Sequence, residues 1–158
     1  MRLVSTSVRK TKFLGERLSN SLKKGDVVVL DGLLGVGKTT FIKGILKGFG
    51  FEDREIVSPS FTIISEYKHR RFLIYHIDLY RIDKKEELMN LGYEDYFYSP
   101  EGISLIEWGQ KIEDILPKYV RVNLSFLGPS KRRITFGLKG YPKEKLKPFI
   151  NKVESSEQ

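Results

Sequence analysis

The chain has no cysteine, a single tryptophan and only two histidines, and each shortage excludes something. Without thiols there is no disulfide framework and no thiolate metal site, which fits a reducing compartment. His69 and His76 have no second ligand at metal-binding spacing, so a zinc centre is not expected. No apolar run approaches the roughly 18 residues that a membrane span needs. The N-terminus also lacks the apolar core of a signal peptide, and the expectation is a soluble, cytoplasmic protein with no membrane partner. Linkers and internal repeats are missing too. The 158 residues are therefore read as one domain over 1–150, with composition turning to Lys, Pro and Ser from Lys139 and disorder expected beyond Asn151.

The charge is unbalanced. Lys and Arg number 28 against 20 Asp and Glu, a net charge of +8, which favours polyanions such as nucleotides, RNA or an acidic protein. A well-solvated basic surface has the same composition, so charge alone selects no function.

Chemistry enters with Gly32-Leu33-Leu34-Gly35-Val36-Gly37-Lys38-Thr39-Thr40. This G-x-x-x-x-G-K-T run follows the apolar Val27-Val28-Val29-Leu30 and leads into a stripe of Phe41, Ile42, Ile45, Leu46 and Phe49. A strand, a glycine-rich turn and a helix in that order form a phosphate-binding loop. The glycines let the amides of Leu34, Gly35, Val36 and Gly37, and on into Thr39 and Thr40, turn toward phosphate oxygens at a helix N-terminus. Lys38 is placed to reach the β and γ phosphates, and the Thr39 hydroxyl to bind magnesium.

Around this unit, Leu14, Leu18 and Leu22 mark a helix from about Val8 to Leu22 ended by Gly25. Ser7 and Thr11 near its start either cap it or approach a nucleotide. A short strand is expected around Glu55 to Val57. The hydroxyl-rich Ser58-Pro59-Ser60-Phe61-Thr62 after it is either a structural turn or a switch that senses phosphate and metal. Thr62 to Tyr67 and Phe72 to Asp78 read as an antiparallel hairpin. Asp83 with Glu86 reads as the capping box of a helix that Gly92 closes, and the aromatic cluster Tyr93, Tyr96, Phe97, Tyr98 either packs against the sheet or stacks on a base. Ile103 to Trp108 is a second apolar strand ending in a carboxylate. Asp78 and Glu107, each at a strand end, compete for the metal-binding or catalytic position. After a short helix near Pro117, Val120 to Phe126 and Arg133 to Leu138 alternate as a closing antiparallel pair. The turn residues Lys131, Arg132 and Arg133 suit a phosphate, a partner or solvent.

These motifs occur in the order found in TsaE-type P-loop ATPases, which the chain resembles. The resemblance rests on Gly32 to Thr40, Ser58 to Thr62, His76-Ile77-Asp78-Leu79-Tyr80-Arg81, Leu91-Gly92-Tyr93-Glu94-Asp95-Tyr96 and Leu105-Ile106-Glu107-Trp108, and spans about residues 8 to 138. It implies an α/β P-loop NTPase fold, a mixed, mainly parallel central sheet with antiparallel additions and flanking helices. It further implies weak ATPase activity serving tRNA threonylcarbamoyladenosine modification, with ATP or ADP and Mg2+ bound. Implied partners are two paralogous ASKHA-fold subunits, with tRNA indirect. Carried over by residue, Lys38 and the loop amides hold phosphates, Thr39 and Glu107 the magnesium, and Asp78 sits at the catalytic centre. Trp108 lies beside the site, Thr62 belongs to the switch, and Arg132 is the choice for an arginine that touches nucleotide. Leu33 departs from a commonly acidic position and Ser60 from a usual threonine, keeping its hydroxyl. Two other readings stand beside this one. A small-molecule or nucleotide kinase would need an arginine-bearing lid, and no insertion supplies it. A nucleotide-gated interaction module would bind without turnover. A GTPase is disfavoured because the chain has no N-K-x-D guanine-reading motif.

Overall fold

The computed structural model describes residues 1–59 and 62–156. Its strands are β1 (Arg2–Ser5), β2 (Val27–Asp31), β3 (Ile64–Lys68), β4 (Leu73–Asp78), β5 (Gly102–Glu107), β6 (Tyr119–Phe126) and β7 (Arg132–Lys139). The helices are α1 (Val8–Leu18), α2 (Lys38–Gly48), α3 (Lys85–Asn90), α4 (Glu94–Phe97) and α5 (Lys147–Glu154). All seven strands form one sheet in the order β1-β7-β6-β2-β5-β4-β3. The central β6, β2, β5 and β4 run parallel, and β7, β1 and β3 are added antiparallel at the margins. The expected fold class, hairpin and closing pair are therefore all present.

Parallel strands need both faces covered, and the β2–β5–β4 part of the sheet has that cover. On one face α1, α2 and α5 bury Leu14, Leu18, Phe41, Ile45 and Phe149 over Val28, Leu30, Leu105 and Val122. On the other, Leu88, Phe97 and Ile112 lie over Val29, Ile77 and Ile106. Each such large side chain contributes about 1.5–3 kcal/mol on burial. The helices α1 and α2 touch through glycine. A Cβ on Gly15 would stand 2.1 Å from the Phe41 carbonyl oxygen, and one on Gly44 2.0 Å from that of Lys12.

Several local expectations are corrected. The first helix stops at Leu18 and a 3-10 turn, Ser19–Ser21, carries the chain on. Instead of a strand at Glu55 to Val57 there is a 3-10 turn, Asp53–Glu55, held by reciprocal capping between Glu52 and Glu55. The box on α3 is shifted by one: Glu87 Oε1, not Glu86, accepts from the amides of Asp83 and Lys84. Before Pro117 only the 3-10 turn Gly109–Lys111 forms. The strand β1 was not anticipated at all.

Where disorder is expected beyond Asn151, the described residues to 156 continue as helix and turn, and 157–158 lie outside them. Helix α5 runs to Glu154 because Phe149 and Val153, one turn apart, are both buried against the core. The Phe149 amide donates to Ser21 Oγ at 2.9 Å. Just upstream, Lys145 Nζ and the Tyr141 hydroxyl both bond the carboxylate of Asp26, which is 2% exposed and immediately precedes β2. The C-terminal segment is thus fastened to the strand that carries the glycine-rich loop.

Candidate nucleotide site

The carboxyl ends of β2, β5 and β4 lie side by side, with Leu30 level with Glu107 and Glu107 level with Asp78. In an open α/β sheet this edge is where ligands bind. The glycine-rich loop leaves β2 there. Gly32 has φ 143°, and a Cβ on it would lie 2.4 Å from the Leu124 carbonyl oxygen, so no other residue fits. Gly37 is the N-cap of α2 with φ 116° and no side chain caps the helix, leaving its first amides open. Anions are attracted to such an end.

Lys38 is 4% exposed. Its ammonium donates to the carbonyls of Gly32 (2.6 Å) and Leu33 (3.0 Å) and lies 4.1 Å from the centre of the Trp108 ring. Burial lowers its pKa, against the opposing pull of Glu107, Asp78 and Asp31. Thr39 donates its hydroxyl to Glu107 Oε1 at 2.8 Å, and the other oxygen of Glu107 is 2.7 Å from His76 Nε2. The half-buried Asp78 accepts the Tyr80 amide at 3.0 Å. Burial pushes its carboxyl above the ordinary range, with the Tyr80 amide opposing. Trp108 takes a left-handed backbone, φ 60°, at the end of β5. Its ring packs 5.2 Å from that of Tyr80.

Lys38, Thr39, Asp78, Tyr80, Glu107 and Trp108 surround a cavity of about 400 Å³, bounded also by Leu34, Gly35, Thr40, Ser58 and Ile63. A second hollow of about 250 Å³ lies across the loop, lined by Thr11, Val36 and Arg132 and sharing Gly35, Gly37 and Thr40 with the first. The structure places Lys38, Thr39, Asp78, Glu107 and Trp108 around one cavity. Thr11 and Arg132 instead face the second hollow. The Thr11 hydroxyl is engaged by Ser5 Oγ (2.7 Å) and the Ser7 carbonyl (3.2 Å). Thr62 is exposed and outside the lining, its place taken by Ile63; Ser60 and Phe61 lie outside the described residues. Leu33, at the loop mouth, is 69% exposed.

The competition between Asp78 and Glu107 resolves into two adjacent positions. Only Glu107 touches Thr39. The residue that sequence reading missed is His76, which shares a face of β4 with Asp78 by the period of two and so could have been flagged as facing the same side of the sheet. Among the described residues no cluster of three or more His, Asp or Glu could hold a metal unaided. Magnesium needs only one or two protein oxygens when phosphate and water supply the rest. Thr39 Oγ1 and Glu107 Oε1 are such a pair, and they fit.

A family model described as "Threonylcarbamoyl adenosine biosynthesis protein TsaE" matches residues 5–134. The chain belongs to the TsaE family. Curated TsaE relatives carry the name tRNA threonylcarbamoyladenosine biosynthesis protein. That of Treponema pallidum is 40% identical over 136 residues, 85% of this chain and 98% of the relative. That of Rickettsia felis is 41% identical over 131 residues, 82% and 75% of the two chains, and that of Bacillus subtilis 40% over 128 residues, 80% and 78%. The crystal structure of Bacillus subtilis YdiB superposes with a TM-score of 0.74 at 28% identity, covering 100% of this chain and 96% of that one. The span matched to TsaE holds every residue of both hollows. Among the described residues no helix is long and apolar enough to cross a membrane.

Proposed function

We propose that the protein binds ATP with magnesium and hydrolyses it slowly to ADP and phosphate, and that this turnover drives or resets a tRNA threonylcarbamoyladenosine modification complex. Its direct partners are the two paralogous ASKHA-fold subunits of that complex; tRNA is an indirect partner, and the setting is cytoplasmic. The names of the relatives support the pathway. The observation that carries the chemistry is the meeting of Lys38, Thr39, Asp78 and Glu107 in one cavity beside the open N-terminus of α2.

In this reading Lys38 exchanges the carbonyls of Gly32 and Leu33 for phosphate oxygens, which suit its charge better. The open amides from Leu34 to Thr40 hold the remaining phosphate oxygens. Thr39 and Glu107 hold magnesium, which neutralises charge on the transferring phosphoryl group. Asp78, raised by burial, orients the attacking water and takes up its proton. The second hollow, with Thr11 and Arg132, receives the nucleoside end. The side chain of Trp108 shields Lys38 and the phosphates from bulk water.

The test is steady-state phosphate release from ATP and magnesium by the protein alone and with the two partner subunits, with Lys38→Ala as control. A low rate that rises in the complex and disappears in the variant supports the reading. ATP binding without release above the Lys38→Ala level, even with partners, replaces it with a nucleotide-gated module, and a phosphorylated acceptor replaces it with a kinase.

A further inference from the structure

We propose that His76 is the positioning residue of the magnesium-binding carboxylate, holding Glu107 so that its Oε1 is presented to Thr39 and to the cavity. The inference rests on the nucleotide and magnesium reading above.

Glu107 has a flexible side chain and is 3% exposed. Left alone, its two oxygens would turn to whatever donors packing allowed, and an unpaired carboxylate oxygen in the interior is costly. Here both oxygens are assigned. Oε1 accepts from Thr39 at 2.8 Å and Oε2 meets His76 Nε2 at 2.7 Å. The strand register permits this, because Asp78 is level with Glu107 and His76 with Leu105, so the glutamate reaches back one step along β4 to find the ring.

The ring itself is 0% exposed. Packing alone would favour a hydrocarbon at this position, as Ile74 provides two residues earlier on the same strand face, also 0% exposed. A buried imidazole is retained only if its hydrogen bond does something. Its Nδ1 has no hydrogen-bond partner, so the whole polar content of the ring is spent on Glu107. The proton must sit on Nε2. The other tautomer would set the Nε2 lone pair against a carboxylate oxygen and leave an orphaned buried N–H at Nδ1. Partners of this kind behind a ligating group change metal affinity or activity by about 10–100-fold.

The experiment compares wild type, His76→Leu, His76→Gln and His76→Asn by equilibrium binding of ATP with and without magnesium. The fluorescence of Trp108, the only tryptophan, is the signal. The glutamine amide nitrogen stands as many bonds from the backbone as Nε2, and the asparagine amide stands one short. Expected is unchanged affinity of His76→Leu and His76→Asn for metal-free ATP, with about tenfold or more magnesium needed to reach the tight complex, and near wild-type behaviour of His76→Gln. A merely structural role would lower both affinities or neither. The ligand-free wild type supplies a readout that needs no variant to fold: ring nitrogen NMR should show a proton on Nε2. A bare Nε2, or a magnesium dependence of His76→Leu equal to that of a responsive wild type, overturns the role of His76 alone. A wild type that binds no ATP, or ignores magnesium, sinks the nucleotide reading and this inference together.

Discussion

Arg132, the first residue of β7, donates its Nε–H to the main-chain carbonyl of Val36 at 2.9 Å, joining the glycine-rich loop to the β6–β7 turn across 96 residues. Its Nη1 is shared among the carbonyls of Gly128, Pro129 and Lys131, and the guanidinium lies 4.5 Å from the Phe126 ring centre. The guanidinium is thus a strut for the loop. Hydrogen bonds from a charged donor contribute about 1.5–3 kcal/mol, so Arg132→Ala should weaken ADP binding about tenfold or more while the fold survives. Lysine cannot reproduce a planar fork, and Arg132→Lys should recover little. Calorimetric titration with ADP decides; wild-type affinity in both variants would remove the strut.

Asp78→Asn keeps the acceptor for the Tyr80 amide and removes the basic oxygen. ATP binding should persist while turnover falls by about 10²–10⁴-fold, the usual worth of a positioned general base. Single-turnover phosphate release alongside a binding titration separates the two. Full activity in the variant would leave Asp78 as a turn-former only.

At Gly44, helix propensity and packing predict opposite signs. Alanine gains about 1 kcal/mol of intrinsic helix preference, but its Cβ would fall 2.0 Å from the Lys12 carbonyl oxygen and 3.0 Å from the Glu16 nitrogen. Both are backbone atoms of α1 and cannot swing aside. Separating the helices costs about 1–3 kcal/mol, so Gly44→Ala should be destabilised in urea unfolding. A stabilised variant would mean that the two helices can slide.

Asp31 gives a pH dependence. Its Oδ1 accepts the Gln110 amide at 3.0 Å, while the buried Oδ2 has no hydrogen bond and sees Arg121 Nε only at 3.9 Å. Burial raises its pKa, opposed by the Gln110 amide, Arg121 and Lys38. A carboxyl whose folded pKa exceeds its unfolded one favours the fold when protonated. Its contribution is therefore lost as pH rises from the ordinary carboxylate range through the raised value. Asp31→Asn should gain thermal stability relative to wild type across that window and keep a constant margin above it. Melting curves at several pH values check this, and a margin that shrinks with rising pH would refute it.

Much of this was legible in the amino-acid order, for reasons of range. The loop from Gly32 to Thr39 is a contiguous motif, and β4, β5, β6 and β7 announce themselves by local apolar patterning. What escaped depends on distant partners. Arg2–Ser5 is a strand only because β7 lies beside it, and of its two apolar residues just Leu3 packs against the main core. Val153, the buried residue that carries α5 past Asn151, is hidden beside a lysine and a glutamate. His76 looked solitary because its partner, Glu107, is 31 residues away. The contest between Asp78 and Glu107 could not be settled without knowing that β4 and β5 are neighbours, which makes both residents of one edge.

The fastening of the C-terminal segment onto Asp26 separates two boundaries that are often assumed to coincide. The match to the family model ends at residue 134, and every residue lining the two hollows lies inside that limit. The unit that folds extends further. A gene fragment cut at residue 134 would keep every site residue, yet strip Lys145 and Tyr141 from the buried carboxylate that leads into β2 and uncover the ground on which Phe149 and Val153 rest. For anyone trimming, fusing or transplanting this module, residues 135–156 behave as part of the foundation of the strand that carries the glycine-rich loop, although they contribute no atom to the site.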